Sequence, residues 1–114
     1  MGGAVKIKER DTTRTVKDFM ELRGWRGVRI NAGPFGKKGQ PDFLFLRYIA
    51  GSLKAAAVWV EFKSPRGRLS PEQTAWIDEE RRRGATCIVV RDFDGFTEWY
   101  ARNVGEEGQM RLRA

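Results

Sequence analysis

The chain has 114 residues, enough for one domain, and 40% of them are hydrophobic, with seven Phe and four Trp to fill a core. It has no histidine and one cysteine, Cys87, which excludes an intramolecular disulfide, a Cys/His zinc site and any histidine triad or general base. The 22 Lys and Arg against 15 Asp and Glu leave a net charge of +7, which favours a polyanionic partner, nucleic acid foremost, over a charge that serves solubility alone.

Catalysis, if present, therefore falls to carboxylates, Lys, Arg, hydroxyls or a hard cation held by oxygen. No stretch approaches the roughly 20 apolar residues of a membrane span. The opening MGGAVKIK has neither the apolar run of a signal peptide nor the Ser or Thr at position 6 that myristoylation requires. A cytoplasmic protein is expected.

Residues 1–8 read as a loose tail. ERDTTRTVKDFMELR, 9–23, predicts a helix closed by Gly24. VRINA, 28–32, is a short strand candidate, and GPFGKKGQP, 33–41, rich in Gly, Pro and Lys, is a loop. DFLFLRYI, 42–49, and AAAVWVEFK, 55–63, predict two antiparallel strands joined through AGS, 50–52. SPRGRL, 64–69, is a second basic loop. Ser70 then predicts an N-cap, with Pro71 at the first helical position and Gln73 completing a capping box. That helix is expected to run to Arg83 and stop at Gly84. ATCIVVR, 85–91, is a buried-type strand, DFDG, 92–95, a turn, and FTEWYARN, 96–103, a last short helix. The order α-β-β-β-α-β-α predicts an α/β fold, a mixed four-stranded sheet flanked by helices, in a single domain over 9–104 with a tail at 105–114.

Three charges do not suit a core. Strand alternation puts Val58, Val60 and Phe62 on one face and Trp59, Glu61 and Lys63 on the other, with the two charges about 7 Å apart along the strand. An ExK pair is common on a half-exposed strand, and Pro41-Asp42 after glycines is ordinary turn chemistry. Their combination says more. Asp42 begins one strand and Glu61 ends the strand that pairs back with it, so the hairpin brings two carboxylates together. They repel unless a positive group lies between them, and a divalent cation with oxygen ligands fits.

The first helix adds a third acid. At 100° per residue Glu9 lies in line with Val16 and Met20, while Asp11 projects to the opposite side. A first-turn acid is also what the helix dipole favours. Gln73 shares a face with Trp76 and Ile77, and its capping role is compatible with a second one. Phe96, Trp99 and Tyr100 on the last helix suit the core better than an interface. Arg81, Arg82 and Arg83 fit an exposed helix end.

Glu9, Gly39-Gln-Pro-Asp42, Glu61-Phe-Lys63 and Gly67-Arg-Leu-Ser-Pro-Glu-Gln73 together resemble the VRR-Nuc family of the PD-(D/E)XK nuclease superfamily, over roughly residues 9–100. The chain's small size is similar to that of stand-alone phage or bacterial members. The resemblance implies a restriction-endonuclease-like αβββαβ core and an Mg2+- or Mn2+-dependent phosphodiesterase acting on DNA in a bacterial or phage-infected cell. It implies that Asp42 and Glu61 bind the metal with the Phe62 carbonyl, and that Lys63 orients or activates the attacking water. It further implies that Glu9 is an outer or second-metal ligand, with Asp11 the neighbouring alternative, and that Gln73 supports the site. It also implies a homodimer acting on branched DNA.

The residues suit that chemistry. A bound divalent metal lowers the pKa of its water and polarises the phosphoryl oxygen, so no histidine is needed. Lys37, Lys38, Arg66 and Arg68 lie in the two loops flanking the site, where backbone phosphates would pass. Two other readings compete: a non-catalytic nucleic-acid-binding module on a nuclease-like fold, and a small interaction protein. Two carboxylates placed where phosphates should arrive favour the nuclease.

Overall fold

A computed structural model describes residues 9–30, 38–48, 51 and 55–105. Helix α1 (Glu9–Leu22) buries Thr12, Val16 and Met20, a stripe at fourfold spacing. Gly24 closes it at φ +87°, where the Trp25 N–H donates to the Met20 carbonyl. Strand β1 (Arg26–Arg29) follows at once and begins two residues earlier than the VRINA pattern implied. Gly27 hid that start, because glycine weakens a strand. Its missing side chain here admits the Phe45 ring, which a Cβ would approach to 2.9 Å. Asn31 and Ala32 lie outside the described residues, as do the tail 1–8 and residues 106–114.

Strands β2 (Phe43–Tyr48) and β3 (Ala55–Phe62) pair antiparallel as expected, with Phe43 opposite Val60. β1 pairs antiparallel with the other edge of β2. Helix α2 (Pro71–Arg82) crosses over to β4 (Thr86–Val90), which runs parallel to β3. The sheet order is β1-β2-β3-β4, so the sheet is mixed and four-stranded. Helix α3 (Phe93–Asn103) starts three residues before the expected position, because Asp92 is an N-cap: its carboxylate accepts from the Gly95 N–H at 2.6 Å. The DFDG segment is thus the cap and first turn of the helix.

Alternation on β3 sorts the two faces. Val58, Val60 and Phe62 join Val16, Met20, Phe43, Phe45, Phe96 and Tyr100 in one buried cluster beneath α1 and α3. Phe19 meets Phe96 and Tyr100 edge-on, and the Trp25 indole N–H donates to the Tyr100 hydroxyl at 3.1 Å. The aromatic face of α3 is therefore core. On the opposite face α2 lies over β3 and β4, with Ile77 buried and the Trp76 and Trp59 rings 4.9 Å apart. Among the described residues no helix is long and apolar enough to cross a membrane.

Candidate active site

The capping box predicted for α2 is formed in full. The Ser70 hydroxyl accepts from the Gln73 N–H, and the Gln73 side-chain oxygen accepts from the Ser70 N–H at 2.8 Å. This fixes the Gln73 amide and aims its Nε2 at the Glu61 carboxylate, 3.2 Å from Oε2. One side chain thus serves as both cap and hydrogen-bond donor to Glu61.

Gly39 ties the loop before Asp42 to the same helix turn. Its φ is +91°, and a Cβ there would overlap the Glu72 carbonyl and lie 3.1 Å from the Gln73 nitrogen. Pro41 is buried behind it. Asp42 then enters β2, and extending the register by one pair sets it opposite Glu61. Asp42 Oδ2 accepts from the Phe62 N–H at 3.2 Å, which locks the first acid to the end of β3.

Glu61 is only 3% exposed, so it is not the half-exposed strand residue that an isolated ExK pair suggests. The first turn of α2 covers it. Lys63 Nζ stands 3.8 Å from Oε2, and the lysine side chain keeps 21% of its surface in solvent. Glu61 Oε1 has no hydrogen-bond partner although it is buried. Burial, then the Asp42 charge and the hydrogen-bonding approach of its carboxyl, push the Glu61 carboxyl up to about 8, with Glu9 adding to the rise and Lys63 opposing it. With both acids ionised Oε1 faces no donor; a proton or a cation between the two carboxyls would satisfy it.

On the α1 side, Glu9, Arg10, Thr13, Arg29, Asp42, Phe43 and Phe62 line a cavity of about 180 Å³. Asp42 belongs both to this cavity and to the Glu61 compartment behind it. Glu9 is exposed at the start of α1, where it lies in the cavity wall and its charge reaches Glu61. Asp11 is not among the lining residues. Among the described residues, no group of three or more acid or thiol side chains converges closely enough to hold a metal ion by itself. Two acids meet, and Glu9 stands at the rim.

Of the basic loop residues, Lys37 lies outside the described residues. Lys38 pairs with Glu72 at 3.4 Å, and the Glu72 carboxyl is held below its ordinary range by its own first-turn backbone N–H and by Lys38. Arg66 and Arg68 are exposed in a loop anchored by the Arg91 guanidinium, which donates to the Gly67 carbonyl at 3.0 Å. Arg81 is exposed in the last turn of α2 as expected, and its guanidinium in addition donates twice to the Cys87 carbonyl, at 2.8 and 3.1 Å. Arg82 and Arg83 also lie on the helix surface, paired with Glu79.

The family model described as the VRR-NUC domain matches residues 34–93, more than half of the 114-residue chain. The chain belongs to the VRR-NUC domain family. Asp42, Glu61, Phe62, Lys63 and Gln73 all fall inside the match, and the mixed sheet with helices on both sides suits a nuclease-like domain. Glu9 falls outside the matched segment, and only the folded geometry sets it in the same cavity wall as Asp42. No curated protein matches the chain.

The sequence reading missed Arg29 and Thr13 in the cavity wall and Gly39 as a spacer between loop and helix. Arg29 lies inside the VRINA strand candidate, but the register that sets it across from Phe43 is fixed by tertiary pairing and is not carried by the local pattern.

Proposed function

We propose that this VRR-NUC domain is a divalent-metal-dependent DNA endonuclease that hydrolyses phosphodiester bonds. The observation that carries the reading is the buried, unpartnered Oε1 of Glu61 beside a second carboxylate. Folding that places two acids together and leaves an acceptor bare is costly, and the cost is recovered when a cation arrives. The donor set is all oxygen, which suits Mg2+ or Mn2+. Asp42, Glu61 and the Phe62 carbonyl would hold the ion, with Glu9 as an outer contributor. Once bound, the ion supplies charge relief on the phosphate and lowers the pKa of water.

The remaining steps belong to side chains of the chain itself. Gln73 fixes the Glu61 carboxylate through Nε2, so that Glu61 offers one defined oxygen edge. The Phe62 N–H holds Asp42 in place. Lys63, partly solvated and on the strand face of Glu61, is placed to hold the attacking water and the scissile phosphate. Arg66 and Arg68 present positive charge to the flanking backbone, whereas Lys38 is paired with Glu72. A preference for branched or junction DNA, a homodimeric state and a cytoplasmic setting in a bacterial or phage-infected cell rest on the resemblance to stand-alone family members.

The second reading, a non-catalytic nucleic-acid-binding module, draws on the convergence of two acids rather than three. It gives no reason for burying Glu61 where phosphates should approach. Nicking of supercoiled plasmid by the purified protein, with Mg2+, with Mn2+ and with EDTA, separates the two. Cutting in metal and none in EDTA is the expected result, and intact plasmid under all conditions would support the binding module.

A further inference from the structure

The cavity that opens onto Asp42 contains two cations outside the motif residues, Arg10 of α1 and Arg29 at the end of β1. Arg29 sits directly opposite Phe43, the residue after Asp42, and the Ile30 N–H donates to the Asp42 carbonyl at 2.7 Å. The two strand ends are thereby pinned together. Directly paired residues share a sheet face, and the Arg29 guanidinium carbon lies 4.8 Å from the centre of the Phe43 ring. Phe43 is itself packed against Phe45 and Phe62, so the arginine stacks on a part of the core.

The charge of Arg29 is not consumed by the neighbouring acids. Among the described residues no ion pair joins Arg10 or Arg29 to a carboxylate. Lys63 is the positive group that acts on Glu61. Lys38, by contrast, already has Glu72. Arg29 is thus a planar cation, oriented by stacking, in the wall of the cavity that reaches Asp42, with its donors open to an external anion.

We propose that Arg29, flanked by Arg10, holds a backbone phosphate of the DNA next to the scissile position, on the α1 side of the acid pair; this rests on the nuclease reading. The guanidinium fork gives two parallel N–H donors to one phosphate, a geometry that a lysine cannot reproduce. The DNA track then runs across the end of β1 as well as past the two basic loops, and Arg29 and Lys63 grip the strand from opposite sides of Asp42.

Two variants test this. Arg29→Met keeps an unbranched side chain over Phe43 and removes the charge; Arg29→Lys keeps the charge and removes the fork. Both are measured for thermal stability, for DNA affinity across a salt series without metal, and for Mn2+-dependent cleavage kinetics. For Arg29→Met the expected result is an unchanged Tm, a KM raised roughly tenfold with a smaller change in kcat, and a salt slope reduced by about one. Arg29→Lys should restore the salt slope and recover only part of the KM.

An Arg29→Met protein with wild-type KM and wild-type salt slope would overturn the proposal. A lowered Tm with both of those unchanged would overturn it too, making Arg29 a cover for Phe43. Should the wild-type protein cut no DNA at all, the nuclease reading falls separately. The salt slope then still decides Arg29, a reduction supporting the phosphate contact and no change refuting it.

Discussion

Replacing Glu61 with Gln should make the protein more stable, and the gain should depend on pH. The Glu61 carboxyl titrates near 4.5 when unfolded and is raised to about 8 in the fold. Between those values the folded state holds a proton that the unfolded state has released. Stability therefore falls as pH rises from about 4.5 to about 8, and is level above that. At about 1.4 kcal/mol per pH unit the whole displacement is worth roughly 5 kcal/mol, an upper bound that Glu61 shares with Asp42 as a pair. The Gln variant escapes this loss. It keeps an oxygen for Gln73 Nε2 and gives up the partly solvated Lys63 contact, worth about 1 kcal/mol or less.

The expected net gain is about 1–3 kcal/mol near pH 8–9 and close to zero at pH 4.5, or roughly 5–15 °C in Tm at the alkaline end. Thermal and urea denaturation followed by circular dichroism, in EDTA, across pH 4.5–9 would measure it. Adding Mn2+ should reverse the ranking: the wild-type protein binds the ion and gains stability by mass action, and the Gln variant gains little. If the two proteins show parallel stability against pH, or if the variant is the weaker at high pH, then Glu61 is not a strained acid and the argument from its bare oxygen fails.

Two further outcomes follow from the same geometry. Gly39→Ala meets both a positive φ and the Glu72 backbone, so a loss of about 2–3 kcal/mol is expected in chemical denaturation, with cleavage falling further than the unfolded fraction explains, because the loop that delivers Asp42 moves off α2. Lys63→Met preserves the stem and removes the ammonium beside Glu61; kcat should drop by roughly two orders of magnitude, with a smaller loss of DNA affinity and a salt slope reduced by about one. Single-turnover kinetics beside equilibrium binding would show whether the loss sits in chemistry or in affinity.

How much of this was readable from the sequence varied with the range of the forces involved. Ser70, Pro71 and Gln73 were legible because a capping box is a local contact between residues three apart. Two adjacent strands that pair back antiparallel bring Asp42 and Glu61 to one end of the sheet, which the strand pattern and its alternation made legible. Alternation names a face and not what covers it, so the burial of Glu61 beneath α2 was invisible. Gly27 looked like a break because glycine weakens strands, and the Phe45 ring that fills its place comes from 18 residues along the chain. Arg29 lay within the VRINA strand, but the pairing that sets it across from Phe43 is long-range, and it went unremarked. Arg81 looked like a dipole-complementing surface charge, and its bonds to the Cys87 carbonyl depend on how α2 docks on β4.

The most direct test compares cutting and binding on the same labelled DNA, for the wild-type protein and for Asp42→Asn. Four-way, flapped and linear substrates would be offered with Mn2+ and with EDTA, and the Tm of both proteins recorded. The account predicts Mn2+-dependent cutting by the wild-type protein, and an Asp42→Asn protein that folds and binds the same DNA yet leaves it intact. An Asp42→Asn protein that is folded and cuts at the wild-type rate would contradict it, since the acid pair would then not be the site of the chemistry.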